Sequence, residues 1–200
     1  MDEVIVFKSF DQHLTVENSS TSVVLPGVIF SNRELLTNLE EALTNQHVLT
    51  LMTDTTFKLV IGQWVLMITG VIDTVVKSNG NITSHSFRPI LFGLALSENI
   101  VGYNALFATL MEISEWCFPI PLPITNIINV QDRNDAMCHA FQECFYDKKF
   151  LVKPCIVHIL RNVRQNAHLL IDREYVEVIS CKIYVIFYFL FNLLLYLLML

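Results

Sequence analysis

The sequence predicts an α/β domain built on a mixed β-sheet with helices on both faces, and three observations predict it. Three apolar runs separated by short polar turns occupy residues 47–96, which is typical of an antiparallel meander. Strand-like and helix-like periods then alternate from Ser97 to Leu170, which is typical of βα units. With 200 residues the chain is long enough to bury the core of one such domain. The predicted order from residue 47 onward is βββ-α-β-α-β-α.

The N-terminal lead-in contains two β-like runs and the start of a helix. Val4–Phe7 and Ser22–Phe30 are rich in β-branched and aromatic residues, which predicts an irregular segment with one hairpin. Ser31 and Glu34 have the spacing of a capping box, in which a hydroxyl and a carboxylate bind the unpaired backbone N–H groups at a helix start. A helix over residues 32–43 is therefore expected to follow.

The remaining elements follow from changes in the period of the apolar residues and from the turn-forming residues between them. The expected strands are 47–52 with a continuation at 59–61, 64–72, 88–96, 124–130 and 150–157, and the expected helices are 97–116, 134–146 and 158–170. Asp54 then lies at the end of the first strand, and Asp132 follows the fourth. Sheets of this kind bind ligands at the carboxyl ends of their strands, so both acids are expected at the functional edge.

Composition limits the classes of function. The formal charge of −6 argues against a surface built to grip nucleic acid indiscriminately. Five cysteines and an acidic, mixed N-terminus without a secretory leader favour a reducing compartment over a disulfide framework. A late basic cluster is either a strip that faces a phosphate backbone or an ordinary solvated helix face; its residues are Lys148, Lys149, Lys153, Arg161 and Arg164.

Asp54 and Asp132 are the candidate catalytic residues. Each follows an apolar strand, and a helical pattern begins just after Asp132. Carboxylate oxygens are hard ligands that suit Mg²⁺, and a pair of such cations clamps the attacking and leaving oxygens of a phosphodiester. The alternative is that both residues are ordinary acids in strand-end loops, and their spacing alone does not decide between the two.

Five segments, in this order, resemble the catalytic domain of Mutator-like element (MULE) transposases. They are Thr53–Phe57, Phe87–Glu98, Tyr103–Phe107, Asp132–Ala136, and Cys155–His158 with the following Leu160–Val163. The resembling domain spans residues 47–172. The resemblance implies an RNase H-like (retroviral-integrase-like) fold with a DDE-type site, in which the first acid lies on the first strand and the second follows the fourth. It makes Asp54 and Asp132 the expected metal ligands.

The resemblance also implies an activity on DNA. The implied reaction is metal-dependent DNA cleavage and strand transfer in transposition, with Mg²⁺ or Mn²⁺ as a two-metal cofactor. The metals would activate a water or a 3′-hydroxyl and stabilise charge at the scissile phosphate. The implied partner is transposon DNA, and the implied location is the nucleus.

A DDE site needs a third acid, and the candidates lie late in the chain. Glu174 is the candidate at an integrase-like distance from the second aspartate, with Asp172 and Glu177 on either side. The family usually places its glutamate further downstream, so the third ligand stays unidentified. Asp73, expected at the end of the second strand, either points at the same cleft or serves a turn. Asp135 is expected to be an acid at a helix N-terminus, where a carboxylate suits the helix dipole.

Cys155 and His158 match the Cys-x-x-His element of the family by resemblance. A structural zinc ion needs four ligands, and this pair supplies two. Cys138, His139 and Cys144 are possible partners, but on a predicted helix the two cysteines do not share one face, so zinc is not expected. Cys155 and His158 are expected instead to order the backbone near the site or, for the histidine, to contact a phosphate.

Both ends of the chain depart from the family. Residues 1–46 contain no cysteine, so the zinc-finger-type DNA-binding module usual in the family is not expected there. Residues 181–200 are apolar and, at ~1.5 Å per residue, match the ~30 Å core of a bilayer. At face value they predict a C-terminal transmembrane helix; the favoured interpretation is accidental translation of AT-rich sequence. We expect an incomplete transposase domain, inactive as a fragment. The alternatives are a domesticated DNA- or protein-binding fragment and a tail-anchored membrane protein.

Overall fold

A seven-stranded mixed sheet with four helices is formed by the part of the chain that the structure describes. The computed structural model describes residues 3–15, 22–57, 64–76, 82–118, 124–132 and 134–165. The elements are β1 Val4–Thr15, β2 Ser22–Asn32, α1 Arg33–Asn45, β3 Leu49–Phe57, β4 Val65–Val76, β5 Ile82–Ala95, α2 Ile100–Trp116, β6 Asn126–Gln131, α3 Asp135–Cys144, β7 Lys149–Pro154 and α4 Ile156–Gln165. The predicted mixed α/β class is confirmed.

The strands lie side by side in the order β1-β2-β5-β4-β3-β6-β7. Each neighbouring pair from β1 across to β3 is antiparallel, whereas β3 and β6 are parallel. A parallel neighbour needs a long crossover, and β4, β5 and α2 lie between β3 and β6 in the chain. From β3 onward the elements follow one another as βββ-α-β-α-β-α.

The N-terminal hairpin is part of the sheet rather than an irregular lead-in. β1 and β2 pair along almost their whole length, and β2 also pairs with β5. Ile29 of β2 is fully buried in the core. Gly27 lies opposite Phe10, and a Cβ at this position would overlap the Phe10 ring, so the close approach requires glycine. The sequence predicted a hairpin here but not its length or its place in the sheet.

The N-cap of the first helix lies one residue later than predicted. Asn32, not Ser31, is the N-cap, and its Oδ1 accepts a hydrogen bond of 2.8 Å from the Leu35 N–H. Ser31 is buried and donates its hydroxyl to the carbonyl of Ile90 in β5. The prediction of a Ser31 capping box is therefore wrong. Both residue types cap helices well, but the Ser31 hydroxyl is bound to the Ile90 carbonyl, whereas Asn32 Oδ1 reaches the Leu35 N–H.

β3 and β4 are longer than predicted. β3 continues through Asp54 to Phe57 because it stays paired with β4 as far as Phe57 opposite Val65. Asp54 therefore lies inside an antiparallel ladder, and the prediction that the strand ends before it is wrong. β4 likewise continues past Asp73, which lies opposite Ser86 of β5 rather than in a turn.

Arg88, one of the residues in the family-like β5 segment, ties α1 to the sheet. Its guanidinium lies 2.6 Å from the Glu41 carboxylate of α1 and 3.4 Å from the Asp73 carboxylate of β4. Next to it, the Asn38 side-chain amide donates to the Pro89 carbonyl at 2.8 Å. The ion pairs are partly exposed to solvent, so they add little stability and serve mainly to fix the position of the helix.

α2 and α3 meet through an aromatic cluster, which consists of Phe107, Phe141, Phe145 and Phe150. Phe107 and Phe141 pack edge to face with ring centroids 5.3 Å apart, and Phe150 of β7 contacts Phe141 in the same way at 5.6 Å. Three of the four rings are fully buried. Each buried ring removes a large apolar area from water, so the cluster is a main source of stability in this part of the core.

The chain divides into two units, Met1–Val152 and Lys153–Leu200. In the second unit the Cys155 carbonyl accepts a hydrogen bond of 3.1 Å from the Ile159 N–H at the start of α4. Among the residues that the structure describes, no helix is long and apolar enough to cross a membrane. Several sequence predictions fall outside those residues: the apolar segment 181–200 and the candidate third acids Asp172, Glu174 and Glu177.

Candidate functional site

Asp54 and Asp132 each lie one residue beyond the last paired position of two neighbouring parallel strands. The ladder between β3 and β6 ends with Thr53 opposite Gln131. Neighbouring strands lie roughly 4.7–4.9 Å apart, and side chains of partners in register point to the same face of a sheet. The register therefore carries both aspartates to adjacent positions at the carboxyl end of β6. Both side chains are half-buried.

The Asp54 carboxylate is held by the backbone N–H of the next residue. The Thr55 N–H donates a hydrogen bond of 2.8 Å to Asp54 Oδ1. A carboxylate that accepts a backbone N–H has a restricted orientation, since the bond is directional and the strand is fixed by β4. The contact fixes the direction of the Oδ1 atom of Asp54.

Asp132 lies in the connection between β6 and α3. Its carbonyl accepts a hydrogen bond of 2.9 Å from the Asn134 N–H, and Asn134 caps α3 by accepting from the Met137 N–H at 3.1 Å. Asp135 is exposed in the first turn of α3, so the prediction that it is an acid at the helix start is confirmed. Asp132 is thus fixed between the end of a strand and a capped helix.

A buried polar chain includes Thr53 and Gln131, which immediately precede the two aspartates; its other residues are Thr69, Asn129 and the half-buried Cys138. Thr53 Oγ1 lies 3.1 Å from Thr69 Oγ1 and donates to Asn129 Oδ1 at 3.4 Å. Asn129 Nδ2 donates to Gln131 Oε1 at 2.7 Å, and Gln131 Nε2 donates to Cys138 Sγ at 2.7 Å. Buried polar groups need partners, so these bonds favour one alignment of β4, β3, β6 and α3.

The sequence contains a signal for the buried polar chain, but the spacing of apolar residues alone does not reveal it. Asn129 and Gln131 alternate with apolar residues in the second half of β6, and they are 0% and 1% exposed. A fully buried amide in a strand is costly unless it is hydrogen-bonded, so such residues point to a specific polar network. Which residues complete the network depends on the register of β3 against β6, which is not visible in the sequence.

A tyrosine bridge connects the start of α2 to the end of β3; it consists of Glu98, Tyr103 and Thr55. The Tyr103 hydroxyl donates to Glu98 Oε1 at 2.6 Å and lies 2.7 Å from Thr55 Oγ1. Tyr103 is fully buried. Its pKa is raised well above the ordinary value, first by burial and then by the Glu98 carboxylate, with a further contribution from the charge of Asp54.

Within the predicted helix 97–116, Tyr103 has the helical spacing of a core residue and Glu98 lies at the start. The burial of Tyr103 is confirmed, but its hydroxyl has a second role in joining two elements that lie far apart in sequence. A phenol is protonated at neutral pH even with its ordinary pKa, and the raised pKa extends this to more alkaline pH, so Tyr103 acts as a hydrogen-bond donor. Glu98 lies in the loop before α2, which has Asn99 as its N-cap and begins at Ile100 rather than at the predicted residue 97.

Gln12 of the N-terminal hairpin holds the loop that carries Glu98. The buried Gln12 Nε2 donates to the Ser97 carbonyl at 3.3 Å and to Asn99 Oδ1 at 3.1 Å. Asn99 Oδ1 also accepts from the Gly102 N–H at 3.0 Å, which caps α2. The hairpin thus contributes to the geometry of the site, although the sequence analysis treated it as a separate lead-in.

The two aspartates fit a magnesium-type cation in ligand type and in number. Mg²⁺ is commonly held by one or two carboxylates while it keeps several waters. Within the described residues there is no group of three or more His, Cys, Asp or Glu side chains that could hold a metal ion. The candidate third acid, Glu174, lies outside the described residues.

The predicted cysteine and histidine candidates occupy different places. Cys138 accepts from Gln131 in the buried polar chain, and Cys144 contacts the Asn104 carbonyl at 3.8 Å. Burial, with a smaller effect of the neighbouring Glu143 charge, raises the pKa of the Cys144 thiol to about 11. In the second unit, Cys155 is buried and His158 is half-buried on α4.

Comparison of the chain with family models, with curated proteins and with solved structures finds no match in any of the three. The resemblance to MULE transposases therefore rests on the five sequence segments. The chemistry of the site rests on the register and contacts of Asp54, Asp132 and the residues that hold them.

Proposed function

We propose that this chain carries an incomplete MULE-type transposase domain, with an RNase H-like fold, in which Asp54 and Asp132 bind a divalent cation. The ancestral activity would be metal-dependent cleavage and strand transfer of transposon DNA in the nucleus. The observation that carries the proposal is the register of β3 and β6, which ends one residue before both aspartates.

The order of elements supports the RNase H-like assignment. The resemblance requires a meander of three strands, with the first acid on its first strand and the second acid after the fourth strand. Counted from β3, Asp54 lies on the first strand and Asp132 follows β6, the fourth. The parallel pairing of β3 with β6 is what makes these two positions neighbours.

Asp54 and Asp132 would hold Mg²⁺ or Mn²⁺ through carboxylate oxygens. A bound cation of this kind lowers the pKa of a water and stabilises charge at a phosphate. The residues of the chain supply orientation: the Thr55 N–H holds Asp54 Oδ1, and the turn to Asn134 holds the backbone of Asp132. Because the third acid is unidentified, we propose that the fragment binds cations without completing DNA strand transfer.

Calorimetric titration of the full-length chain with Mn²⁺ tests the proposal. The variants are Asp54→Asn and Asp132→Asn, which keep the side-chain shape and remove the charge. Each is expected to weaken Mn²⁺ binding by about tenfold or more, because each removes a charged ligand. A nonionic detergent is included in every sample, since residues 181–200 are apolar.

Asp135→Asn is the matched control. Asp135 is exposed in the first turn of α3, three positions after Asp132, and the same charge is removed. Since the charge of a solvent-exposed group is screened over roughly 10 Å, this variant is expected to keep its affinity within about twofold. Equal weak binding by the wild type and all three variants would remove the cation site from the proposal.

A further inference from the structure

We propose that Tyr103 is a positioning residue for the cation site: its hydroxyl, anchored on Glu98, orients Thr55 and through it the carboxylate of Asp54. The inference rests on the proposed function, in which Asp54 is a ligand. Three consecutive contacts carry it, from Glu98 to Tyr103, from Tyr103 to Thr55, and from the Thr55 N–H to Asp54 Oδ1.

The direction of each hydrogen bond follows from proton count. A phenol has a single proton, and Tyr103 donates it to the Glu98 carboxylate, which has none to give. In the contact between the two hydroxyls, Thr55 must then be the donor and Tyr103 the acceptor. This fixes the Thr55 side chain in one rotamer, with its Oγ1 directed at the phenol oxygen.

The restraint on the Thr55 side chain also limits movement of the Thr55 backbone. This matters for Asp54 because the two residues are adjacent on β3. The Thr55 N–H is the donor that holds Asp54 Oδ1 at 2.8 Å. Pairing with β6 ends at Thr53, and beyond it β4 and the tyrosine bridge restrain the strand. The tyrosine bridge thus restrains β3 beyond the point where its pairing with β6 ends.

The anchor of the bridge is itself held in place. Glu98 lies between Ser97 and Asn99, whose carbonyl and side-chain oxygens both accept from Gln12 Nε2. The Asn99 side chain also caps α2, the helix that carries Tyr103. Hydrogen bonds therefore join the loop to the helix, and the bridge connects both to the end of β3.

Tyr103→Phe in the full-length chain tests the inference, because it removes the hydroxyl and keeps the buried ring. Two measurements are made: hydrogen exchange of the Thr55 amide by NMR without metal, and Mn²⁺ affinity by calorimetry. We expect the Thr55 amide to exchange roughly tenfold faster, since it loses its restraint. We expect Mn²⁺ binding to weaken roughly tenfold, as for residues that orient a metal ligand.

Thr109→Val is the matched control. It removes another buried hydroxyl of α2, which donates to the Ala105 carbonyl within the helix at 2.7 Å. The Thr109 hydroxyl makes one hydrogen bond and the Tyr103 hydroxyl makes two, so we expect Thr109→Val to lower Tm by about 2–4 °C and Tyr103→Phe by about 4–8 °C. Only Tyr103→Phe is expected to change the Thr55 amide and the Mn²⁺ affinity.

Glu98→Gln separates positioning from ligation. The amide oxygen of glutamine still accepts the Tyr103 proton, so this variant should lose less Mn²⁺ affinity than Tyr103→Phe. A loss equal to or greater than that of Tyr103→Phe would overturn the inference, because Glu98 would then act directly on the cation. An unchanged Thr55 amide in Tyr103→Phe would also overturn it. If the wild type binds no Mn²⁺, the proposed function fails, and the Thr55 amide still decides the positioning role.

Discussion

Replacing Phe141 with alanine is expected to lower the free energy of unfolding by about 3–5 kcal/mol, the range for a large buried aromatic side chain. Phe141 is fully buried and is the ring that contacts all the other members of the aromatic cluster. Its loss removes apolar burial, leaves a cavity between α2, α3 and β7, and breaks edge-to-face contacts worth about 0.5–1.5 kcal/mol each.

Urea denaturation followed by circular dichroism measures this effect. Tyr146→Ala is the control, because it removes an aromatic ring just after the same helix at a position that is 82% exposed. Surface substitutions of this kind usually change stability by less than about 0.5 kcal/mol. A loss in Phe141→Ala no larger than that in Tyr146→Ala would show that the cluster is not part of the packed core.

Asn129→Ala is expected to lower the free energy of unfolding by about 2–4 kcal/mol, because buried partners lose their hydrogen bonds at about 1–3 kcal/mol each. Thr53 loses an acceptor, and Gln131 Oε1 loses its donor. Both residues immediately precede the aspartates, so the same change is expected to loosen the alignment of β3 with β6 and to weaken Mn²⁺ binding.

The matched control is Asn126→Ala, which removes the same side chain from the first position of the same strand. Asn126 is half-buried and lies outside the buried polar chain. Thermal and urea unfolding of the two variants give the comparison. If Asn129→Ala were as stable as Asn126→Ala, the buried polar chain would have no role in holding the register.

The spacing of apolar residues predicted most helices and strands because the same spacing appears in the burial of their side chains. Leu49, Leu51 and Thr53 are buried along β3, while Met52 and Asp54 are only half-buried. Boundaries were less predictable because they depend on partners. The polar residues around Asp54 resemble a bend when viewed alone, yet they form a regular strand because β4 supplies a full antiparallel ladder.

The candidate site could be predicted only in part, for a similar reason. Acids after apolar strands indicated Asp54 and Asp132, but the register that makes them neighbours is a contact between distant parts of the chain. Tyr103 has the spacing of a core residue, and periodicity reports the burial of its ring rather than the partner of its hydroxyl. Gln12 carries no local signal, since its role depends on a loop at Ser97–Asn99.

Disulfide formation between cysteines at positions 54 and 132 tests most directly whether the two aspartates converge. A disulfide requires Cα atoms within roughly 4.4–6.8 Å. In the full-length Asp54→Cys/Asp132→Cys variant, mild oxidation is predicted to join the two positions, as detected by mass spectrometry of non-reduced peptides. The control is Asp73→Cys/Asp132→Cys, because position 73 lies five residues along β4 from the partner of Asp54, roughly 16 Å away.

The predicted result is a disulfide between 54 and 132 in folded protein and none between 73 and 132. Native cysteines stay in place, since peptide mapping distinguishes their products from the predicted one. Absence of the 54–132 disulfide under conditions that oxidise both introduced thiols would contradict the convergence of Asp54 and Asp132, and with it the cation site.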